Sequence, residues 1–237
     1  MAVEKKDIRR IRKLAFSKNH DFDEELAHIL NDNKEYLFSK NPVVQNIYKY
    51  QIDYLCSFSK EWFKSETIKI LDWGCGKGHV SYWLKKMKKN VTSCDVSNSG
   101  VTSAFVIDSP LYAKENIDVI ELKHDYILPF NDSSFDVVLS FGVFEHVPND
   151  LESLKEITRI LRPNGLFFCF HLPYKLSYTQ NITHILGNWY HSKLYGKKTV
   201  KKLLETVNLE ILDIWHRALF PKISFTPTPH FIMLWKE

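Results

Sequence analysis

A glycine-rich turn between an apolar run and an amphipathic segment places the strongest constraint on how this chain can fold. The turn, Gly74-Cys75-Gly76-Lys77-Gly78, lies within the stretch ILDWGCGKGHV at residues 70–80. Alternating glycines permit a tight reversal at positive φ and let a ligand approach the backbone. The N–H groups of the following helix would point at an electron-rich group. The stretch therefore predicts a strand, a ligand-binding turn and a helix in succession.

Strand and helix patterns alternate through the middle of the chain. Short apolar runs predict strands at residues 68–73, 90–96, 117–123, 135–141 and 165–172. Helix patterns lie between them at residues 79–88, about 100–107 and 150–161. A helix at 197–207 and strands at 209–215 and 231–236 follow, with a proline-rich loop at 220–230. This order predicts an α/β fold with a doubly wound, mostly parallel seven-stranded sheet.

The chain also divides into two parts by its hydrophobic pattern. Residues 1–65 carry apolar residues at three- and four-residue spacings, which predicts an N-terminal helical cap. Residues 66–237 are expected to form the α/β core, with an aromatic- and His-rich insert at 173–196 that binds the acceptor. In doubly wound sheets, ligands bind beyond the carboxyl ends of the strands, where the glycine turn is expected to lie.

Composition limits the class of protein. The chain is 44% hydrophobic and 25% charged, as expected of a globular protein, and its net charge of +4 is too mild to predict a nucleic-acid partner. Its four cysteines form no CxxC pair, which predicts reduced thiols. The N-terminal segment lacks the apolar core of a secretory signal, and no apolar run is long enough to cross a bilayer. We therefore expect a protein that is cytoplasmic or at most attached to a membrane face.

The spacing of the glycines argues against a dinucleotide fingerprint. G-x-G-x-x-G would place its third glycine where His79 stands, whereas Gly78 comes one residue early. An acid, Asp72, followed by alternating glycines instead resembles motif I of the class I (Rossmann-like) S-adenosylmethionine-dependent methyltransferases. On this stretch alone, a glycine turn that merely joins a strand to a helix is the alternative.

Further segments resemble the same family, in the same order, between residues 68 and 172. Asp95 ends the second predicted strand, where an acid can accept hydrogen bonds from both ribose hydroxyls. The resemblance implies that Asp125, at the end of the third strand, meets the adenine amino group. LPF at 128–130, SFD at 134–136 and LRPNGLFFCF at 161–170 are also similar to the family's segments.

The resemblance implies S-adenosylmethionine as cofactor and S-adenosylhomocysteine as product. Asp72 would orient the turn and the cofactor's amino group. The three glycines that would admit the methionine part are Gly74, Gly76 and Gly78. The other expected cofactor contacts neighbour these landmarks in the sequence and are Cys75, Val96, Tyr126, Ser140 and Phe141.

Methyl transfer to a hydroxyl requires the protein to align the acceptor and remove its proton, because the sulfonium methyl is already electrophilic. Histidine suits this role near neutral pH. His146, in FEHVPND, is the first candidate base, and His171, at the end of the fifth strand, is the second. A structural role for His146 stays an equal alternative. His184 and His191, in the insert, are expected to be structural.

The pair Glu145-His146 raises the question of a metal. Some quinone O-methyltransferases of this superfamily carry E-x-x-E-H here and use the three side chains as metal ligands. In this chain Gly142 stands at the first acidic position, which leaves two candidate ligands. We therefore expect no metal requirement.

The expected function is transfer of a methyl group from S-adenosylmethionine to a hydroxyl of a small molecule. A sugar or nucleotide-linked sugar is the first expectation, because the insert loosely resembles methyltransferases of surface-polysaccharide biosynthesis and aromatic faces stack on sugar rings. The alternative acceptor is a quinone, a lipid or another small metabolite. A catalytically silent methyltransferase-like binding module and a nicotinamide oxidoreductase are the remaining alternatives.

Overall fold

The computed structural model describes residues 3–30, 41–96, 109–124, 126–175, 193–220 and 223–235. For residues 216–220 and 223–235, only the backbone is described. The chain divides into two compact units, Met1–Glu121 and Leu122–Glu237. The expected division into a cap at 1–65 and a core at 66–237 stays a prediction.

The first unit combines N-terminal helices with three strands, in the order β3-β2-β1. Its elements are α1 (Lys5–Ser17), α2 (Glu24–Ile29), α3 (Pro42–Phe63), β1 (Lys69–Trp73), α4 (His79–Lys86), β2 (Asn90–Val96), α5 (Pro110–Lys114) and β3 (Val119–Leu122). The last of these, β3, ends one residue past the unit boundary.

Local sequence signals explain where the N-terminal helices begin and which faces they bury. In α1, Ile8, Ile11 and Ala15 recur at helical spacing and are buried. At the start of α3, the Asn41 side chain accepts a hydrogen bond from the Val43 N–H, and proline occupies the first turn. α3 therefore lies within residues 1–65, where the spacing of apolar residues predicts helices.

Strands β1 and β2 form the parallel pair that carries the glycine turn. Their register runs from Lys69 opposite Asn90 to Trp73 opposite Cys94. Four of the five β1 residues are buried, as expected for a parallel strand that is covered on both faces. β3 is shorter than its predicted range of 117–123, and α5 was not predicted. The helix expected at about 100–107 lies outside the described residues.

The second unit contains four strands, in the order β4-β5-β7-β6. Its elements are β4 (Phe135–Phe141), α6 (Asp150–Ile160), β5 (Leu161–Phe170), α7 (Lys197–Thr206), β6 (Leu209–Phe220) and β7 (Ile223–Trp235). β4 and β5 are parallel, whereas β7 is antiparallel to both β5 and β6. The described residues thus contain the seven expected strands in an α/β arrangement, which confirms the predicted fold class.

Two strand boundaries differ from the sequence prediction. β5 begins at Leu161 rather than at residue 165, with Asn164 at a φ of 61° and a register shift between Phe135 and Val137 of β4. The proline-rich loop predicted at 220–230 is wrong, because β7 pairs with β6 there, for example Pro229 with His216. Among the described residues, β5 pairs with β7 only from Phe231 onward. Pro227 and Pro229 of β7 therefore lie where the edge of β7 toward β5 needs no N–H donor.

Among the described helices, none is both long and apolar enough to cross a membrane.

Candidate cofactor site and active site

Asp72 lies inside the first unit, at the end of β1. Its carboxylate accepts a hydrogen bond of 2.5 Å from the Ser81 hydroxyl of α4, and that hydroxyl lies 2.7 Å from the Ser93 hydroxyl of β2. Only 1% of Asp72 is exposed, and burial raises the pKa of its carboxyl to about 7. Asp72 therefore joins the strand to the following helix, and its expected contact with the cofactor's amino group stays a prediction.

The glycine turn has the backbone shape that its sequence predicts. Gly74, Gly76 and Gly78 all have positive φ, at 73°, 53° and 80°. The N–H groups of Gly74 and Cys75 both donate to the Cys94 carbonyl of β2, at 2.9 and 3.1 Å. The Gly78 N–H donates to the Cys75 carbonyl at 2.9 Å, which closes the turn. The end of β2 thus fixes the turn from one side.

Gly76 is the open point of the turn. Among the residues that the structure describes, a Cβ atom built on Gly76 would meet no heavy atom within 4 Å. The Gly76 N–H donates to Asp95 Oδ2 at 2.7 Å, and the Val96 N–H donates to Asp95 Oδ1 at the same distance. Burial raises the pKa of Asp95, and these two N–H donors oppose that rise. Asp95 therefore also shapes the turn, a role that the sequence did not reveal.

This geometry fits the expected cofactor. The partly exposed backbone of Gly76 lies next to a carboxylate at the end of β2, and a carboxylate in that position can accept hydrogen bonds from ribose hydroxyls. Val96 is partly exposed beside Asp95, whereas Cys75 is buried. Asp125 lies outside the described residues, and Tyr126, next to it, packs its ring 4.4 Å from that of His124.

Two further residues contact the turn from α5. The Ser109 hydroxyl donates to the Lys77 carbonyl at 2.7 Å, and the Tyr112 hydroxyl donates to the Gly76 carbonyl. Sequence analysis missed both. Their only signal was the Ser-Pro pair that begins a helix, and it indicates a helix start rather than a binding site.

In the second unit, the candidate active-site residues follow the carboxyl ends of β4 and β5. Ser140 is fully buried, and the Phe141 ring lies 4.6 Å from the Phe170 ring. The next residue, Gly142, has a φ of 66° and donates its N–H to the Phe170 carbonyl at 3.0 Å. The expected cofactor contacts of Ser140 and Phe141 stay predictions.

Glu145 is the most unusual side chain in this region. Only 3% of the residue is exposed, and its Oε2 atom has no hydrogen-bond partner among the residues that the structure describes. Burial raises the pKa of its carboxyl to about 8. Sequence analysis considered Glu145 only as a metal ligand. Its burial could not have been anticipated from the sequence, because a glutamate in a turn segment is ordinarily exposed.

His146, the first candidate base, is more accessible than Glu145. Its side chain is 45% exposed, and its Nε2 atom lies 3.9 Å from Glu145 Oε1. Burial of its inner part lowers the pKa of the imidazole below the usual 6.5. His146 is therefore neutral at pH 7, which is the form that can accept a proton.

Gly142, Glu145 and His171 meet in the structure. A Cβ atom on Gly142 would lie 3.6 Å from Glu145 Oε1 and 3.9 Å from the His171 Cβ atom. An acid at position 142 would thus add a carboxylate beside Glu145, and glycine leaves that position without a ligand. Within the described parts of the chain, no group of three potential metal-ligating side chains occurs. The expected independence from metal stays a prediction, and His184 and His191 lie outside the described residues.

Sequence comparisons agree with this geometry. Residues 71–169 match a protein family described as a methyltransferase domain. The chain is similar to a ubiquinone biosynthesis O-methyltransferase of Maricaulis maris, at 32% identity over 107 residues that cover 44% of this chain and 40% of that protein. A protein of the same name from Rickettsia bellii is 28% identical over 184 residues, which cover 73% of this chain and 74% of that protein. The chain thus matches less than half the length of the first relative.

A solved structure supports the fold. It is that of a SAM-dependent methyltransferase from Methanosarcina mazei, with a TM-score of 0.56 over 73% of this chain and 94% of that chain. The sequence identity is 17%, so this match bears on the fold alone. It agrees with the Rossmann-like arrangement predicted from the alternating strands and helices.

Proposed function

We propose that this chain, in which residues 71–169 match a family described as a methyltransferase domain, is a class I S-adenosylmethionine-dependent methyltransferase that transfers a methyl group from that cofactor to a hydroxyl of a small molecule. The observation that carries the proposal is the open backbone at Gly76, which is fixed by Asp95 at the end of β2. A turn that merely connected a strand to a helix would not require an open face at its middle residue.

In this proposal, the first unit holds the cofactor. Gly76 presents its open backbone to the methionine part, and Asp95 accepts hydrogen bonds from the ribose. Asp72 and Ser81 keep β1 and α4 in place beneath the turn. When bound, S-adenosylmethionine supplies a methyl group that is electrophilic because it is attached to a sulfonium.

The second unit supplies the proposed base. His146 is neutral at pH 7 and partly exposed, so its imidazole can take the proton of an acceptor hydroxyl. Glu145, whose raised pKa keeps it largely protonated at that pH, places no full negative charge beside the imidazole. A neutral neighbour leaves the pKa of His146 low and its base form populated.

For the acceptor, we propose a ring hydroxyl of a quinone precursor. The two relatives are named as ubiquinone biosynthesis O-methyltransferases. A phenol-type hydroxyl, like that of tyrosine, has a pKa of about 10 and loses its proton to an imidazole more readily than an aliphatic sugar hydroxyl does. The sugar acceptor favoured by the sequence has no support from these relatives, and the insert that suggested it lies largely outside the described residues.

Cofactor binding is the first test. We expect calorimetry to detect binding of S-adenosylhomocysteine and no binding of NAD. Gly76→Ala should weaken S-adenosylhomocysteine binding by about 100-fold or more, because the added methyl group fills the open face, while the positive φ adds about 1 kcal/mol of strain.

Gly196→Ala is the matched control for this substitution. Among the described residues, a Cβ atom there meets only Thr199 Oγ1, at 3.8 Å, and the backbone has a φ of −103°. This variant should bind like the wild type. Binding of NAD alone, or equal binding by the Gly76→Ala variant and the wild type, would contradict the proposed cofactor.

The base is tested by turnover. His146→Ala should retain S-adenosylhomocysteine affinity and lose about 100-fold to 10,000-fold in kcat. The wild-type rate should stay level from about pH 8 down to 6.5 and fall only at lower pH, because burial moves the pKa of His146 below 6.5. The control is His28→Ala on the exposed side of α2. Normal turnover by the His146→Ala variant would remove His146 from the mechanism.

The acceptor is tested with matched compounds. A catechol or hydroquinone with a short apolar tail, a free hexose and a nucleotide-linked hexose would each be incubated with labelled S-adenosylmethionine. We expect methylation of the ring hydroxyl only. Methylation of either sugar would restore the sugar acceptor and reject the quinone precursor.

A further inference from the structure

We infer that Ser109 and Tyr112 are positioning residues that hold the glycine turn in its cofactor-binding shape, and that Gly78 is glycine to admit the Tyr112 ring. The inference rests on the proposed function, because it assigns these residues to the cofactor site. It also separates the roles of two glycines that the sequence resemblance treats alike. Gly76 faces the ligand, and Gly78 faces the protein.

The turn is held by different polar groups from two directions. From β2, the Cys94 carbonyl and the Asp95 carboxylate accept hydrogen bonds from N–H groups of the turn. From α5, the Ser109 and Tyr112 hydroxyls donate to the carbonyls of Lys77 and Gly76. Two successive peptide groups of the turn are therefore fixed through their carbonyls, while the face at Gly76 stays open.

The Tyr112 ring occupies the space that a side chain at Gly78 would need. A Cβ atom on Gly78 would lie 2.5 Å from Tyr112 Cε1 and 3.1 Å from Cδ1. Any side chain at position 78 would displace the ring and, with it, the hydroxyl that donates to Gly76. The absence of a side chain at Gly78 thus preserves a contact made inside the protein.

Helix α5 can deliver these two hydroxyls because it is short and firmly packed. Pro110 occupies its first position, where the fixed φ favours the helical start. Leu111 is fully buried and anchors the helix, and the Tyr112 N–H donates to the Ser109 carbonyl at 3.0 Å. The Ser109 hydroxyl is itself buried in its contact with Lys77.

Tyr112→Phe tests the hydroxyl alone. We expect its Kd for S-adenosylhomocysteine to rise about fivefold to tenfold, because one hydrogen bond to the turn is lost. At saturating cofactor, kcat should stay within twofold of the wild type, so that the effect appears in KM for the cofactor. Phenylalanine keeps the ring contact and removes only the hydroxyl. A loss of affinity in this variant would therefore assign the effect to positioning of the turn by the hydroxyl rather than to general packing of the ring.

Tyr82→Phe is the matched control. Its hydroxyl lies 3.4 Å from Glu25 Oε2 and contacts α2 rather than the turn. This variant should bind the cofactor like the wild type. Wild-type affinity in the Tyr112→Phe variant would overturn the inference.

A double-mutant cycle tests the role of Gly78. Gly78→Ala should weaken S-adenosylhomocysteine binding more in the wild type than in a Tyr112→Ser background, which lacks the ring. Strain from the positive φ of Gly78 is common to both backgrounds and cancels in the comparison. Equal losses in the two backgrounds would show that the ring does not determine the need for glycine.

Hydrogen exchange of the protein without cofactor keeps this inference separate from the proposed function. The Gly76 amide should exchange several-fold faster in the Tyr112→Phe variant than in the wild type or the Tyr82→Phe variant. Unchanged exchange would overturn the role of Tyr112 even if the cofactor binds. Failure of the wild type to bind S-adenosylhomocysteine would instead reject the proposed function and leave the exchange result as the measure of the Tyr112 contact.

Discussion

At the scale of single residues, Glu145 shows how burial changes the chemistry of a familiar motif. A carboxyl group that is almost fully buried, with one oxygen lacking a partner among the described residues, favours its neutral form. With Gly142 beside it, the position holds one buried acid where the E-x-x-E-H motif would hold two. Burial therefore favours the protonated form of Glu145.

Glu145→Gln tests this protonation state through stability. Below pH 4.5, Glu145 is protonated in both folded and unfolded chains. Between 4.5 and about 8, the unfolded chain releases this proton and the folded chain retains it, so the free energy of unfolding falls as pH rises. Relative to the Gln variant, the wild type should lose about 1 kcal/mol or more between pH 5 and pH 8.

Urea unfolding across this pH range provides the measurement. Asp72, whose pKa is also raised, is present in both proteins, so its contribution cancels in the difference. Glu152→Gln, at an exposed position in the first turn of α6, is the control and should run parallel to the wild type. A constant difference between wild type and the Glu145→Gln variant at all pH values would refute the raised pKa.

At the scale of elements, Arg159 of α6 secures the segment that precedes β4. Its guanidinium donates to the carbonyls of Phe130 and Leu128, at 2.8 and 2.9 Å. It also pairs with Glu156, whose carboxylate accepts a hydrogen bond from the Leu128 N–H at 2.9 Å. The LPF segment, a landmark of the resemblance, thus bonds to the helix through its backbone.

Arg159→Ala should therefore lower the free energy of unfolding by about 2 to 3 kcal/mol, because the Phe130 and Leu128 carbonyls and the Glu156 carboxylate each lose a charged donor. Lys155→Ala is the control on the same helix. Its exposed ion pair with Glu152 should contribute less than about 0.5 kcal/mol. Equal effects of the two substitutions in urea unfolding would show that the Arg159 contacts do not stabilise the segment.

At the scale of the whole molecule, both units bury their thiols. All four cysteines are free and buried: Cys56, Cys75 and Cys94 in the first unit and Cys169 in the second. Burial raises the pKa of each thiol, that of Cys56 to about 12. Since the thiolate is the reactive form, the folded protein should react slowly with a thiol reagent.

We expect reaction with a disulfide reagent to be at least about tenfold slower in the folded protein than in denaturant, where four thiols should be titrated. Ser17→Cys, at an exposed position on α1, should add one thiol that reacts at once in the folded protein. Fast reaction of wild-type thiols would show that the folded protein opens around them.

Several features of the chain follow from its sequence because they depend on neighbouring residues. The bounds of β2 and β4 match the prediction at both ends, since each apolar run is limited by residues that favour turns. The helices α4, α6 and α7 begin where predicted and end one or two residues earlier. The positive φ of the three turn glycines follows from their lack of a side chain, and the resemblance of that turn to motif I implied the cofactor.

Only the tertiary structure decided which groups are buried and which distant residues meet. Tyr112 contacts a turn 36 positions earlier in the chain, and Ser109 contacts Lys77 across 32 positions. β7 extends through prolines because its edge toward β5 is unpaired there. Local sterics determine turns and strand ends, whereas the pKa of Glu145 and the purpose of Gly78 depend on packing between segments that no local pattern relates.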